Sequence, residues 1–455
     1  MSRGSHRLER YPRILGPASA LTAPGPAHTL PSNTASTSTR GPALADAPNL
    51  DVDFARRQFP DSAWAWAFFE NAGGSFVPRS VIERLGAYMA ETQVQPGAPF
   101  PASASAARRM AEGQRRIAEM INAGPDEVIV GPSTTANIYV LANALRPWFA
   151  AGDEIIVTNL DHEANNGAWR RLAETGLIVR EWKVDAETAE LDPADLERLL
   201  GERTRLVCVS HCSNIVGTFN DVAAIAGLAH AAGALVCVDG VAYAPHRAID
   251  VKALDVDFYA LSPYKLYGPH LGVLYGKRQH LLRARGQNHY FIGEDDIPLK
   301  LNPGGPNHEL TAALAGTADY FEAMHGHHFE DRANSFHECV RAVYGLFTAH
   351  EEELAAPFVK FLSAKPGVRL IGRPTASPAE RAPTFSFVVE GRHSADIPAL
   401  VEPAEVAIRS GHFYAHRLIN DLGIDPDDGV VRVSMVHYNT AREVERLIQA
   451  LDRAF

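Results

Sequence analysis

Residues 235–270 read LVCVDGVAYAPHRAIDVKALDVDFYALSPYKLYGPH. Two short apolar runs lie in this stretch, 235–238 and 258–261. Each is too brief for a helix and each is closed by a polar turn, the pattern of strands buried on both faces of a parallel sheet. One run closes on Asp239, the other on Ser262 and then Lys265. Ligands of open α/β sheets sit beyond the carboxyl ends of the strands, so a carboxylate, a hydroxyl and a primary amine are expected to converge on one crevice.

Working outward, the same alternation recurs upstream. Apolar runs at 128–130, 155–157, 178–180 and 206–209 are followed by helical patterns at 135–145, 164–175, 193–200 and 222–231. Such repetition predicts a mainly parallel sheet covered by helices on both faces. Order is expected to begin near Asp51 and to pass through the turn Asn71-Ala72-Gly73-Gly74, whose glycines permit close backbone approach. A helix over 81–89, a Pro/Gly/Ala/Ser loop over 94–105 and an amphipathic helix over 108–121 complete the entry. After Gly304 the character changes to a long helix at 309–324, more helix through 354, strand-like runs at 384–389, 406–409 and 430–435, and a final helix at 442–454. The chain thus divides into a tail (1–50), a large α/β domain with its N-terminal segment (51–305), a connecting helical region (306–345) and a smaller α+β domain (346–455).

Composition narrows the function. With 455 residues and 46% hydrophobic content the chain can bury a large core in more than one lobe. A formal net charge of -11 disfavours a polyanion, so no nucleic-acid partner is expected. Cys208, Cys212, Cys237 and Cys339 lack paired metal spacing, and three lie in or beside apolar strands, where free thiols are small core residues. No metal and a reduced, cytoplasmic setting are the expectation. No run is apolar enough to span a bilayer, so no membrane partner is expected. Arg3, Arg7, Arg10 and Arg13 precede a Ser/Thr/Pro/Ala-rich tract with no apolar core to follow, which reads as a disordered tail rather than a targeting peptide.

Several strand ends carry chemistry. Gly131-Pro132-Ser133-Thr134-Thr135-Ala136 joins a strand to a helix without a dinucleotide fingerprint. Hydroxyls on a first turn, beside free N–H groups, suit an anion, although Ser and Thr are also plain helix caps. The run at 155–157 leads to Asp161-His162, and that at 206–209 to Ser213-Asn214. A His can stack on a flat heteroaromatic ring and an Asn can bond a phenolic oxygen, though alone each is more often a solvated or capping residue. Lys265 is either a solvated charge or, if buried, a nucleophilic amine. With Asp239 against a pyridinium nitrogen, Lys265 forming a Schiff base and hydroxyls on a phosphate, the group suits pyridoxal phosphate. Arg432, embedded in an apolar run, requires an anion, either an internal carboxylate or that of a substrate.

At these residues the sequence resembles the class V aminotransferase family of fold-type I pyridoxal-phosphate enzymes, in its cysteine-desulfurase-like branch. The resemblance covers most of residues 51–451 and is carried by Asn71-Ala72-Gly73-Gly74, Asp161-His162-Glu163-Ala164-Asn165, Ser213-Asn214-Ile215-Val216-Gly217-Thr218, Asp239-Gly240, Ser262-Pro263-Tyr264-Lys265-Leu266-Tyr267-Gly268-Pro269, and Arg432 with His437-Tyr438-Asn439-Thr440. It implies a seven-stranded-type large domain and a small C-terminal domain in a homodimer. It also implies catalytic roles for Lys265, His162 and Asp239: Lys265 holds the cofactor, Asp239 pairs its pyridinium and His162 stacks on its ring. Asn214 would contact the 3′-oxygen, and Thr134, Thr135, Ser262 and Tyr264 the phosphate. Arg432, with Asn71, Ala72 and Gly73, would bind an amino-acid substrate.

Departures from the family shape the functional expectation. Desulfurases carry a nucleophilic cysteine just after an Arg-x-Gly-His run, whereas here Arg409-Ser410-Gly411-His412 is followed by Phe413 and Tyr414. Persulfide transfer by that route is not expected. Ala242 replaces a Gln or His, and Gly305 stands where a Thr often reaches the neighbouring subunit's phosphate. The leading expectation is β-elimination from cysteine or a cysteine S-conjugate. The alternatives are transamination, epimerisation or decarboxylation with oxidative deamination of an amino acid in specialised metabolism. A cofactor-binding regulator lacks support, since no basic DNA-reading module precedes the main body.

Overall fold

The computed structural model describes residues 48–455, so nearly all of the expected tail lies outside the described residues. Its strands, in chain order, are β1 (Ala67–Phe68), β2 (Val128–Gly131), β3 (Glu154–Thr158), β4 (Ile178–Trp182), β5 (Thr204–Ser210), β6 (Leu235–Asp239), β7 (Phe258–Leu261), β8 (Gly272–Gly276), β9 (Val368–Leu370), β10 (Thr384–Val389), β11 (Val406–Ala407), β12 (Arg409–Gly411) and β13 (Val430–Ser434).

The large sheet has seven strands in the order β2-β8-β7-β6-β5-β3-β4. Strands β4, β3, β5, β6 and β7 run parallel. Strand β8 is antiparallel to both β7 and β2. Two reversals restore direction, so β2 is parallel to β7 and its carboxyl end opens on the same edge as the others. The apolar runs alternate between two cores. Val207, Val209, Val236 and Val238 pack on one face, and Leu206, Cys208, Cys237 and Phe258 on the other. Burying each such side chain contributes about 1.5–3 kcal/mol, which is why short strands without amphipathic patterning hold their places here. Cys208 and Cys237 are therefore core residues.

Helices start where local chemistry allows. Asp221 caps Val222–Ala231, accepting from Ala224 N, and Ser133 caps Thr134–Leu145, accepting from Ala136 N. Two sequence expectations are corrected. The loop expected over 94–105 is shorter, because the helix Pro101–Met120 begins inside it. Pro at the first helical position and a run of Ala are helix-compatible, and the helix lies so close to His308–His328 that a Cβ on Gly113 would come within 1.9 Å of Thr311 O. The helix expected over 164–175 is instead three short turns, Glu163–Asn165, Gly167–Arg170 and Arg171–Thr175. Asn166 diverts it by donating to Thr158 O and accepting from Arg170 Nε.

The small domain is an antiparallel sheet, β12-β13-β10-β9, with β1 and β11 forming a separate parallel pair. Ala67 and Phe69, far upstream in sequence, belong to its core. The helix Phe336–Ala364 crosses between the lobes. Val340, Val343 and Phe347 enter the large core, and Leu354, Phe358 and Leu362 the small one. Among the described residues no helix is long and apolar enough to cross a membrane.

Candidate active site

The crevice opens where five parallel strands end. At β2 the chain turns through Pro132-Ser133 into the helix Thr134–Leu145; Ser133 Oγ takes the Ala136 N–H, and the Thr134 and Thr135 N–H groups are left without intrahelical acceptors at the positive end of the helix dipole. Thr134 Oγ1 donates to Leu261 O at 2.9 Å and lies 2.7 Å from Ser262 Oγ, so the hydroxyls expected at two separate strand ends meet. Thr135 is exposed on the next position of the turn. Glycine at 272 makes this geometry possible, since a Cβ there would fall 2.2 Å from Ser133 C and 2.3 Å from Thr134 N. Tyr264, half-buried, packs its ring on Gly74 and His270.

Lys265 ends a short turn, Pro263–Lys265, and is buried. Burial first, and then the Arg432 charge, pull its amine down to about 8, against opposing pulls from Asp239 and Glu70. Asp239, at the end of β6, accepts from Val241 N at 2.9 Å. Burial pushes its carboxyl up, resisted by that hydrogen bond and by Lys265. His162 Nδ1 accepts from Ala164 N at 3.0 Å, which places the ring proton on Nε2. Burial, Lys265 and Arg432 hold this imidazole down to about 3, so it is a neutral ring at physiological pH. Tyr414 lies beside it, ring centroids 5.1 Å apart.

Arg432, on β13 and only 2% exposed, brings the small domain to the crevice. Its Nη1 donates to Asn214 O at 3.1 Å and its Nη2 to Glu70 Oε1 at 2.8 Å, while Phe413 covers the guanidinium face at 3.7 Å. Nε is buried without a partner. Asn214 Nδ2 donates to Phe413 O at 2.9 Å, tying the β5 end to the turn that follows β12.

The remaining expected residues fall into two groups. Asn71 and Ala72 sit at the lobe boundary with their polar groups engaged. Asn71 Nδ2 donates to Ser434 O and Asn439 Oδ1, Tyr438 donates to Asn71 Oδ1, and Ala72 N donates to Ser434 Oγ. Gly73 lies against the Glu70 carboxylate. Gly305, in the left-handed region at φ 82°, has no heavy atom within 4 Å of its Cβ position and no described contact with the crevice. Sequence reasoning missed Glu70 as a site residue. Its only signal was adjacency to the Asn71-Ala72-Gly73-Gly74 turn, because its partner lies at 432.

These residues fit pyridoxal phosphate. A buried amine of lowered pKa faces a buried carboxylate, paired hydroxyls stand at a helix start, and a buried Arg donor awaits an acceptor. The comparisons agree. A family model described as Aminotransferase class-V matches residues 67–447. The aminotransferase-like protein FGM3 of Gibberella zeae is 39% identical over 412 residues, 89% of this chain and 98% of that protein. The cysteine desulfurase-like protein ustD of Aspergillus flavus is 35% identical over 429 residues, 91% and 94% respectively. The crystal structure of the cysteine desulfurase CsdA from Escherichia coli superposes with a TM-score of 0.75 at 28% identity, covering 89% of this chain and 98% of that one. The fold, the crevice and its relatives converge: the chain belongs to the class V aminotransferase family, as a pyridoxal-phosphate-dependent enzyme of cysteine-desulfurase-like type.

Proposed function

We propose that this enzyme is a carbon–sulfur lyase that eliminates hydrogen sulfide from cysteine or a thiol from a cysteine S-conjugate. The observation carrying the proposal is what stands at the turn that follows β12. Phe413, not a thiol, lies over Arg432, and Cys212 beside the crevice is held protonated, its thiol pushed up to about 12 by burial. A site that opens a C–S bond without an acceptor thiol releases the sulfur still attached to its own substituent. Relatives named as cysteine desulfurases support the bond chosen.

Bound through Lys265, pyridoxal phosphate supplies a sink for electrons released at the substrate's Cα. The residues of this chain do the rest. Thr134, Ser262 and the first-turn N–H groups would hold the phosphate, Asp239 would keep a proton on the ring nitrogen, and the neutral His162 ring would offer a flat apolar face. Arg432 orients the substrate carboxylate. Lys265 Nζ would serve as the base for the α-proton, a task suited to an amine titrating near 8. The C–S electron pair leaves with sulfur, which is protonated to the thiol. Water then releases pyruvate and ammonia, so conjugate plus water balances thiol, pyruvate and ammonia. All four cysteines are free thiols, which supports a cytoplasmic setting, and the reading takes the enzyme as a homodimer.

The test is incubation of holoenzyme with cysteine and a panel of S-conjugates without any 2-oxo acid, followed by mass spectrometry. Equimolar pyruvate and thiol, or hydrogen sulfide in the case of cysteine, are expected. A strict requirement for a 2-oxo acid, or carbon dioxide release without thiol, overturns the lyase reading in favour of transamination or decarboxylation.

A further inference from the structure

We propose that Glu70 is a placeholder carboxylate: it occupies half of the Arg432 edge that receives the substrate's carboxylate, and must rotate away before substrate binds. The inference rests on the reading of Arg432 as that seat. A guanidinium grips a carboxylate best through two parallel N–H bonds from one edge, and Nε with Nη2 form such an edge. Here Nη2 donates to Glu70 Oε1 at 2.8 Å while Nε, buried, has no acceptor. The opposite donor, Nη1, is engaged by Asn214 O, and the Phe413 ring covers the face. The Nε–Nη2 edge, which Glu70 half fills, is the one with an unpaired donor. An arginine buried this deeply needs a counter-charge when no substrate is present, and Glu70 supplies it.

The surroundings allow a side-chain swing and nothing larger. Glu70 bridges Ser434 in parallel pairing, and Ser434 N donates to Phe69 O at 2.7 Å, so the backbone is fastened to β13. Gly73 makes the resting position available: a Cβ there would fall 2.0 Å from Glu70 Oε2 and 2.4 Å from Oε1. Glu70 is thus a specificity-determining residue. It screens Arg432 from weak anions and sets the affinity the substrate carboxylate must exceed.

The test uses holoenzyme and propionate, a carboxylate with no amine to react, with affinity read by calorimetry. Glu70→Gln removes the competing charge at constant size, and Gly73→Ala displaces the carboxylate while keeping its charge. Both are expected to bind propionate about tenfold or more tightly than the parent, with KM for a cysteine conjugate falling in parallel. Arg432→Gln is expected to abolish propionate binding. If Arg432→Gln abolishes it but either of the other variants, once shown folded by its melting curve, binds no tighter than the parent, the placeholder role is refuted and the Arg432 seat stands. If Arg432→Gln binds propionate as the parent does, the seat itself is refuted and the placeholder with it.

Discussion

Lys265 offers the sharpest quantitative test. An unperturbed lysine titrates at about 10.5, so at pH 7 about one amine in three thousand is free. Held at about 8, the Lys265 amine is free in about one molecule in eleven, on the order of a 300-fold gain in nucleophile. The sign follows from the causes: burial and the Arg432 charge both disfavour the ammonium, so the reactive neutral form dominates above pH 8 and is lost below it. Apoprotein mixed with pyridoxal phosphate across pH 6–10, quenched with borohydride and analysed by peptide mass, reports capture at this residue. The expected profile rises about tenfold per unit below pH 8 and levels off above it. Two variants move the midpoint in opposite directions, Arg432→Gln upward by removing a like charge and Asp239→Asn downward by removing a counter-charge. A parent midpoint near 10.5, or both variants shifting the same way, refutes the electrostatic account.

Three further outcomes are expected. Gly272→Ala drives a Cβ into the backbone of Ser133 and Thr134, and urea unfolding should show a loss of about 3 kcal/mol together with weakened cofactor affinity in a fluorescence titration. Asp239→Asn removes the carboxylate we propose for the ring nitrogen and should lower kcat/KM by about 10²–10³-fold without unfolding the protein, as circular dichroism would confirm. Because His162 is held down to about 3, kcat/KM should show no limb near 6.5 assignable to it, and the pH profile of His162→Phe should match the parent's in shape between pH 5 and 8.

The sequence was most legible where burial is continuous. Asp239, Ser262 and Lys265 could be placed at strand ends because 235–238 and 258–261 are apolar on both faces, and the sheet edge follows from that alone. It was least legible where small residues do the packing. Gly272–Gly276, opened and closed by a glycine, drew no strand expectation, yet its first glycine is what lets β8 lie against the Ser133–Thr134 backbone. Pro101 and the alanines after it read as loop composition, although Ser103, Ala106 and Gly113 are buried along one helix. Arg432 was recognisable as a charge needing an anion, and the structure supplies the internal one. The internal one, Glu70, lies 362 positions away with no periodicity to announce it.

The stitching of residues 67–72 into β11 and β13 sets a timetable for biosynthesis. The ribosome adds about 5–20 residues per second, so roughly 20–70 s separate the emergence of Glu70 from that of Arg432. From the emergence of Lys265 to that of Arg432, about 8–33 s at the same rate, the nascent chain holds Lys265 and the hydroxyl cradle but lacks the ion pair, the Ser434 fastening and the crossing helix's second core. The aldehyde-binding half of the crevice is thus synthesised before the anion-gripping half, and a stalled or prematurely terminated polypeptide exposes a reactive lysine without the arginine that sharpens it.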